Sequence, residues 1–475
     1  MRVLTREDLG NSDDFLRQLT YNGFDTCVTY EVFEALQLKI AEEPLCSTYA
    51  FQLKSLEPVL TMMRRGFRID MDRLETMKEK ELIPNLLKIE GFIKELASVL
   101  GWEALNINSH MQLKRLFYED LDIPPIYDYK GNKGLTTGRK ALEKIKRDYV
   151  KGYPFANAIM LHRDIKKLVE SLSTDLKEGR WHASFNVAGT TTGRWSSSDD
   201  PFDIGSNLQN IKDKVRRIFV ADEGHVLYSC DQQGAEARYV AYKSGDENYI
   251  RAVESGDVHT TVASLTWGFA PDRKLADRNF YRDLSYREVA KRLTHASNYF
   301  GTPRGISAAT GVEVNMVEEF QKKYFRTFPG ISRWHDWVRR ELMDKSSLTT
   351  ALGFRRFFWD RSWSDDTLKE AIAFEPQSIV GRLTAWGMCR IHDELEPLCQ
   401  NLSNGHDAAI GQMPEKRVEE LLPRVLHCLD NKFDVTDIQG KTRVLSIPWE
   451  PSLGKNWGKR KADNKEGLTE WKVTI

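Results

Sequence analysis

Apolar residues recur along most of this chain at the three-to-four-residue step of amphipathic helices. Val32, Leu36 and Ile40 keep that step, as do Leu56, Leu60 and Met63. Further helical blocks are predicted over 234–242, 286–299, 368–395 and 418–430. One stretch departs from the pattern. Val226, Leu227 and Tyr228 form a short apolar run of β-branched and aromatic residues that ends on Asp231. That run predicts a strand presenting a carboxylate at its end, a rigid way to hold a catalytic or metal-binding group. Turn-forming residues predict loops at Ile123-Pro124-Pro125, Lys130 to Gly134, Ser196 to Ser206 and the charged Lys455 to Glu466. Helices inserted between the strands of a small sheet predict an α+β fold.

With 475 residues the chain has room for about three domains. Its 41% hydrophobic and 29% charged content is ordinary for a globular protein. No apolar run approaches the ~18 residues that span a bilayer, and Met1 to Gly10 has no apolar core of a signal peptide. A cytoplasmic protein without membrane contact is expected. The six cysteines are scattered with no CxxC pair, which argues against a zinc ribbon or a disulfide scaffold. Lys+Arg and Asp+Glu balance at 69 each. Bulk charge therefore gives no support to nucleic-acid binding, although local patches and not the sum decide phosphate contact.

The chemistry gathers around Asp231. Ahead of it stand Thr192-Gly193-Arg194-Trp195-Ser196-Ser197-Ser198 and Asn207-Leu208-Gln209-Asn210-Ile211. After it come Gln232, Gln233, Gly234, Ala235, Glu236, Ala237 and Arg238, then Gly245-Asp246-Glu247-Asn248 and Asp257-Val258-His259-Thr260. A lone Asp at a strand end is more often a loop or cap residue; four colinear stretches are another matter. In this order they resemble the palm motifs of family A DNA polymerases, the family of bacterial DNA polymerase I. Arg287, Lys291, His295 and Tyr299 follow at steps of four, on one slowly drifting helix face. Alone, such a cationic stripe is more often a solvated face. In the resemblance it is the fingers helix, with cations for triphosphate and a ring for base and sugar. Here His295 replaces the usual Phe or Tyr, Ala296 replaces a glycine, and Gly301 comes one place late.

Phosphoryl transfer of this kind uses two Mg²⁺ ions about 4 Å apart, so Asp231 needs a partner. Mg²⁺ takes oxygen ligands and keeps several waters, so two aspartates and a backbone carbonyl suffice. The family closes its palm with His-Asp-Glu on a hairpin. This chain offers His392-Asp393-Glu394 and His406-Asp407-Ala408. Asp393 lies inside a helix-period run (Leu383, Trp386, Arg390, Leu395), whereas Asp407 follows the turn signal Asn404-Gly405 and precedes a strand-like segment ending in Pro414-Glu415. Asp407 is the expected second ligand, although Ala408 stands where the family has a glutamate.

The resemblance implies further roles. The carbonyl of Gln232 assists Asp231 and Asp407 with the metals. Glu236 excludes a ribose 2′-hydroxyl, and His259, Arg287, Lys291 and His295 meet the nucleotide, with Tyr299 near the template base. Arg194 and Gln377 probe the minor groove, the latter at the start of a long helix. His406, Asn207, Gln209 and Asn210 touch DNA. Pro58 to Asp70 and His162 to Leu168 resemble the opening of the thumb and its link to the palm. Ile447-Pro448 and Gly454-Lys455-Asn456-Trp457 resemble the closing motif. The implied right hand has a thumb over 46–170, a palm over 171–240 and 378–475, and fingers over 241–377, acting on primer–template DNA and dNTPs. Residues 1–45 carry Tyr21 and Asp25, spaced like the last motif of a 3′–5′ exonuclease domain. They read equally as a remnant or as a dock for a separate exonuclease polypeptide, so no intrinsic proofreading is expected. His295 and the short N-terminal region look phage-like. Two rivals stand beside this reading. A single-subunit RNA polymerase should lack Glu236, and an inactive polymerase-shaped DNA-binding subunit has no physical reason to keep Asp231, Asp407, Arg287 and Lys291 together.

Overall fold

The computed structural model describes residues 12–42, 46–128, 134–174, 176–202, 204–361 and 364–471. Met1 to Gly10 and most of the expected Lys130 to Gly134 loop lie outside the described residues. Helix α1 (Ser12–Glu42) follows the apolar step through Val32 and Leu36, yet both side chains are exposed, as are Leu16 and Phe24. Helix α2 (Cys46–Arg65) turns Val59 and Met62 into the main core. Helices α3 (Ile83–Val99), α4 (Arg139–Asp148) and α5 (Tyr153–Ser171) close over a separate core that includes Leu113, Phe117, Ile145 and Ile159. In α4 the buried positions are Ala141, Leu142 and Ile145, the narrow stripe expected of a surface helix.

The central sheet begins with β1 (His225–Gln232). A long helical insertion follows, including α6 (Ala235–Ser244), α7 (Val258–Trp267), α8 (Arg273–Ala276), α9 (Tyr286–Asn298) and α10 (Asp365–Leu395). The chain then returns through β2 (Gln400–Asn404), β3 (Ala408–Pro414), α11 (Val418–Leu429), β4 (Trp449–Gly454), β5 (Asn456–Lys459) and β6 (Gly467–Glu470). The strand order is β2-β3-β1-β4-β6-β5, with β5 and β6 parallel and the other pairs antiparallel. β1 is central and covered on both faces, so Val226, Leu227, Tyr228 and Cys230 are all buried and the run reads as continuous rather than alternating. The insertion has its own aromatic core, where Tyr249, Phe320, Tyr324, Trp334 and Phe374 are fully buried. No helix among the described residues is long and apolar enough to cross a membrane.

The structure corrects three expectations. Lys455 to Glu466 is not all loop, because Asn456–Lys459 forms β5. Asn456 is buried and exchanges amide hydrogen bonds with Asn464, and Trp457 stacks on Phe67. The charges on either side hid this buried pair. Ser196 to Ser206 likewise contains a strand, Ser196–Ser198, paired with Ser184–Asn186. Gln377 is well inside α10 and not at its start, because Ser364 caps the helix by accepting from the amide of Thr367 (3.1 Å). Pro376 is accommodated within that helix.

Candidate active site

Sheet register brings the two aspartates together. Ala408 of β3 lies opposite Asp231 of β1, and Glu450 of β4 lies opposite Asp231 on its other side. Asp407 immediately precedes Ala408, and its carbonyl accepts from the amide of Gln232 (2.9 Å). The turn between β2 and β3 is held by Asn404, whose Oδ1 accepts from the amide of His406 (3.0 Å), while His406 takes a left-handed φ of 70°. Ser229 Oγ donates to Asp231 Oδ2 (3.1 Å). Crowding by protein and then the nearby Asp407 carboxylate raise the pKa of Asp231, a tendency that Ser229, Lys459 and Arg216 oppose. Asp393, the rival carboxylate, is on α10 and pairs with Lys54 (2.8 Å).

A cavity of about 610 Å³ opens over this point. Gln232, Glu236, His406 and Asp407 line its floor, and His259, Arg287, Lys291, His295 and Tyr299 its wall. Ser285 and Glu288 form a capping box that starts α9, which fixes the direction of the Arg287–Lys291–His295 face. Asp257 caps α7 by accepting from the amide and hydroxyl of Thr260 (3.2 and 2.8 Å), and it also accepts from Arg287 Nε (2.9 Å). Burial works against its charge, but Arg287 and Thr260 outweigh that and hold Asp257 at about 2. His259 sits in the first turn of α7 with Nδ1 buried and unpartnered among the described residues. Burial first, then Arg287 and Lys291, push its pKa down to about 4, so the ring is neutral at pH 7.

Glu236 joins the two halves of the cavity. Its Oε1 accepts from Arg194 Nη2 (2.9 Å) and its Oε2 from the Tyr299 hydroxyl (2.5 Å), with His295 Nδ1 at 3.7 Å. Burial and then the Glu236 charge raise the pKa of Tyr299, which stays a donor. Arg194 Nε donates to the carbonyl of Gln377 (2.8 Å). Gly381 of α10 makes room for this arginine, since a Cβ there would come within 2.4 Å of Arg194 Cγ.

The sequence profile described as "DNA polymerase family A" matches residues 72–459 of this chain. The chain belongs to DNA polymerase family A. It is 28% identical over 452 residues to the thermostable DNA polymerase I of Thermus filiformis, covering 91% of this chain and 50% of that protein. It is also 28% identical over 478 residues to DNA polymerase I of Synechocystis, covering 92% of this chain and 45% of that protein. The chain thus spans about half the length of the curated relatives it matches. Among solved structures it resembles the POL domain of Pol1 from M. smegmatis, described as a complex with DNA primer-template and dNTP. The TM-score is 0.75 at 22% identity, over 91% of this chain and 74% of that one. The fold is the right-hand polymerase fold, with the carboxylate-bearing sheet at its base.

Other expected residues fall outside the cavity. Asn207 and Asn210 line a larger groove of about 1020 Å³ together with Lys167 and Lys212. Gln209 braces the site: its Oε1 accepts from the amide of Ser197 (2.9 Å) and its Nε2 donates to the carbonyl of Trp195 (3.0 Å). Tyr21 and Asp25 are on the exposed face of α1, far from extensive packing among the described residues. Sequence reasoning missed Asp257 as an organiser. The Asp257-to-Thr260 spacing is a helix-cap signature and could have revealed it. It also missed Arg273, for which no signal stood out.

Proposed function

We propose that this chain is a template-directed DNA polymerase that adds dNTPs to a primer 3′-hydroxyl. The observation that carries the reading is Asp407, with Asp231 beside it, in a cavity that Arg287, Lys291 and His259 also line. An all-oxygen donor set of two carboxylates and the Gln232 carbonyl suits Mg²⁺, which binds through one or two carboxylates plus substrate phosphates. When bound, a pair of such ions supplies activation of the primer hydroxyl and charge neutralisation on the departing pyrophosphate.

The chain's own residues do the rest. Arg287 and Lys291 bind the triphosphate as cations, and neutral His259 donates a hydrogen bond to it. Glu236, fixed by Arg194 and Tyr299, stands where a ribose 2′-hydroxyl would intrude. His295 borders the sugar, and Tyr299 stacks near the template base. Arg194 and Gln377 check the minor-groove acceptors common to all correct pairs, and His406 meets the primer terminus. The groove carrying Asn207, Asn210, Lys167 and Lys212 suits the phosphates of primer–template DNA. On this reading the thumb is 46–170, the palm 171–240 with 378–475, and the fingers 241–377. His295 supports a phage-type member acting in replication in the host cytoplasm. Incorporation opposite each of the four template bases tests the claim: only the complementary dNTP should extend, and NTPs should fail.

We also propose that residues 1–45, which carry Tyr21 and Asp25, are a remnant of an exonuclease domain or the dock of a separate one. The purified chain should extend primers without 3′–5′ excision. A copurifying exonuclease that loses activity on Asp25→Ala would support the dock, and unchanged excision would exclude a catalytic role for Asp25.

A further inference from the structure

Asp257 holds a second guanidinium besides that of Arg287. Arg273, on the short helix α8, donates from Nη1 to Asp257 Oδ2 (3.1 Å) and from Nε to Asp277 Oδ2 (2.7 Å). Asp257 Oδ2 is the same oxygen that accepts from Arg287 Nε (2.9 Å). One carboxylate therefore sets two guanidiniums side by side, and both arginines line the cavity. Each is left with a free edge. Among the described residues, Nη2 of Arg273 and both Nη atoms of Arg287 donate to no protein group. A surface arginine held by one carboxylate is ordinarily a solvated ion pair of little consequence. Arg273 is 58% exposed, but two carboxylates hold its Nε and Nη1, and with Nη2 unengaged at a cavity that it lines beside Arg287 it is preorganised to bind an anion.

The position along the cavity says which part of the ligand it meets. Tyr299, at the C-terminal end of α9, bonds Glu236 beside the aspartates. Arg287 lies in the first turn of the same helix, about 18 Å away along its axis at 1.5 Å per residue. Arg273 flanks that far end, away from the reacting centre.

We infer that Arg273 is a further nucleotide-binding residue, whose free guanidinium edge contacts the terminal phosphate of the incoming triphosphate, with Asp257 and Asp277 as its positioning residues. This rests on the cavity being the triphosphate site. The test measures binding of dNTP and of the matching dNDP to the full chain on a primer–template that lacks the 3′-hydroxyl, with Mg²⁺ present. Arg273→Ala should weaken dNTP binding about tenfold, the effect of one lost charge-assisted hydrogen bond, and leave dNDP binding unchanged. Arg273→Lys should fall between, keeping the charge but not the fork. Unchanged dNTP binding, or equal losses for dNTP and dNDP, would overturn the inference. Arg287→Ala is the separate control. If it too leaves dNTP binding unchanged, the reading of the whole cavity fails, and not the assignment of Arg273 alone.

Discussion

Replacing Glu236 by alanine takes one carboxylate from three neighbours at once. Arg194 loses its ion pair (2.9 Å), Tyr299 loses its acceptor (2.5 Å), and His295 loses the charge at 3.7 Å. Hydrogen bonds to charged groups contribute about 1.5–3 kcal/mol each, and a buried hydroxyl left without an acceptor costs about 1–3 kcal/mol. The Glu236 side chain is 24% exposed, which screens the Arg194 pair and favours the lower end of that range. The expected loss of stability is therefore about 2–4 kcal/mol for Glu236→Ala, and roughly 1–2 kcal/mol for Glu236→Gln, which keeps an acceptor for Tyr299. The functional effect is distinct. Relieving a steric clash of the size of overpacking, about 1–3 kcal/mol, should raise NTP incorporation relative to dNTP roughly ten- to hundredfold in Glu236→Ala. Urea denaturation reads the first effect and single-nucleotide incorporation with CTP against dCTP reads the second. A drop in stability with an unchanged CTP:dCTP ratio would make Glu236 a structural tie only. Unchanged stability would mean that the three-way network does not form.

Two further predictions concern the scaffold. His335 is buried with Nε2 2.8 Å from the carbonyl of Asn298, and burial pushes its pKa down to about 4. Its folded pKa lies below the unfolded value, so its contribution is present above about pH 6.5 and is lost as pH falls toward 4. His335→Gln should flatten the stability-versus-pH slope in that window by about 1.4 kcal/mol per pH unit, and an unchanged slope would contradict the burial argument. Trp457→Ala removes a ring that packs on Phe67 and Phe219, and unfolding in denaturant should show a loss of about 3–5 kcal/mol. A loss below 1 kcal/mol would place Trp457 outside the core.

Much of this geometry was legible because it is local. The apolar run into Asp231 announced β1, and steps of four placed Arg287, Lys291 and His295 on one face of α9. The turn signal at Asn404-Gly405 separated Asp407 from Asp393, which remains within α10. What escaped depends on contacts far apart in the chain. Glu236 is tied to Arg194 and Tyr299 across 42 and 63 residues, and no period or motif encodes those distances. Arg273 reaches the site only because Asp257 holds it there. The strand Asn456–Lys459 was masked by flanking charges, while its stability comes from Asn464, Phe67 and Phe219. The apolar step in α1 gave the helix correctly but not its exposure, since periodicity reports a face and not what covers it.

The central claim is that Asp231 and Asp407 form the catalytic centre of primer extension. Extension of a labelled primer–template by the purified chain with dNTPs and Mg²⁺ tests it most directly, comparing Asp407→Asn with Asp393→Asn. The account predicts that wild-type chain extends, that Asp407→Asn abolishes extension, and that Asp393→Asn, which loses only an exposed pair with Lys54, stays within a few-fold. Extension that survives Asp407→Asn and disappears with Asp393→Asn would contradict it.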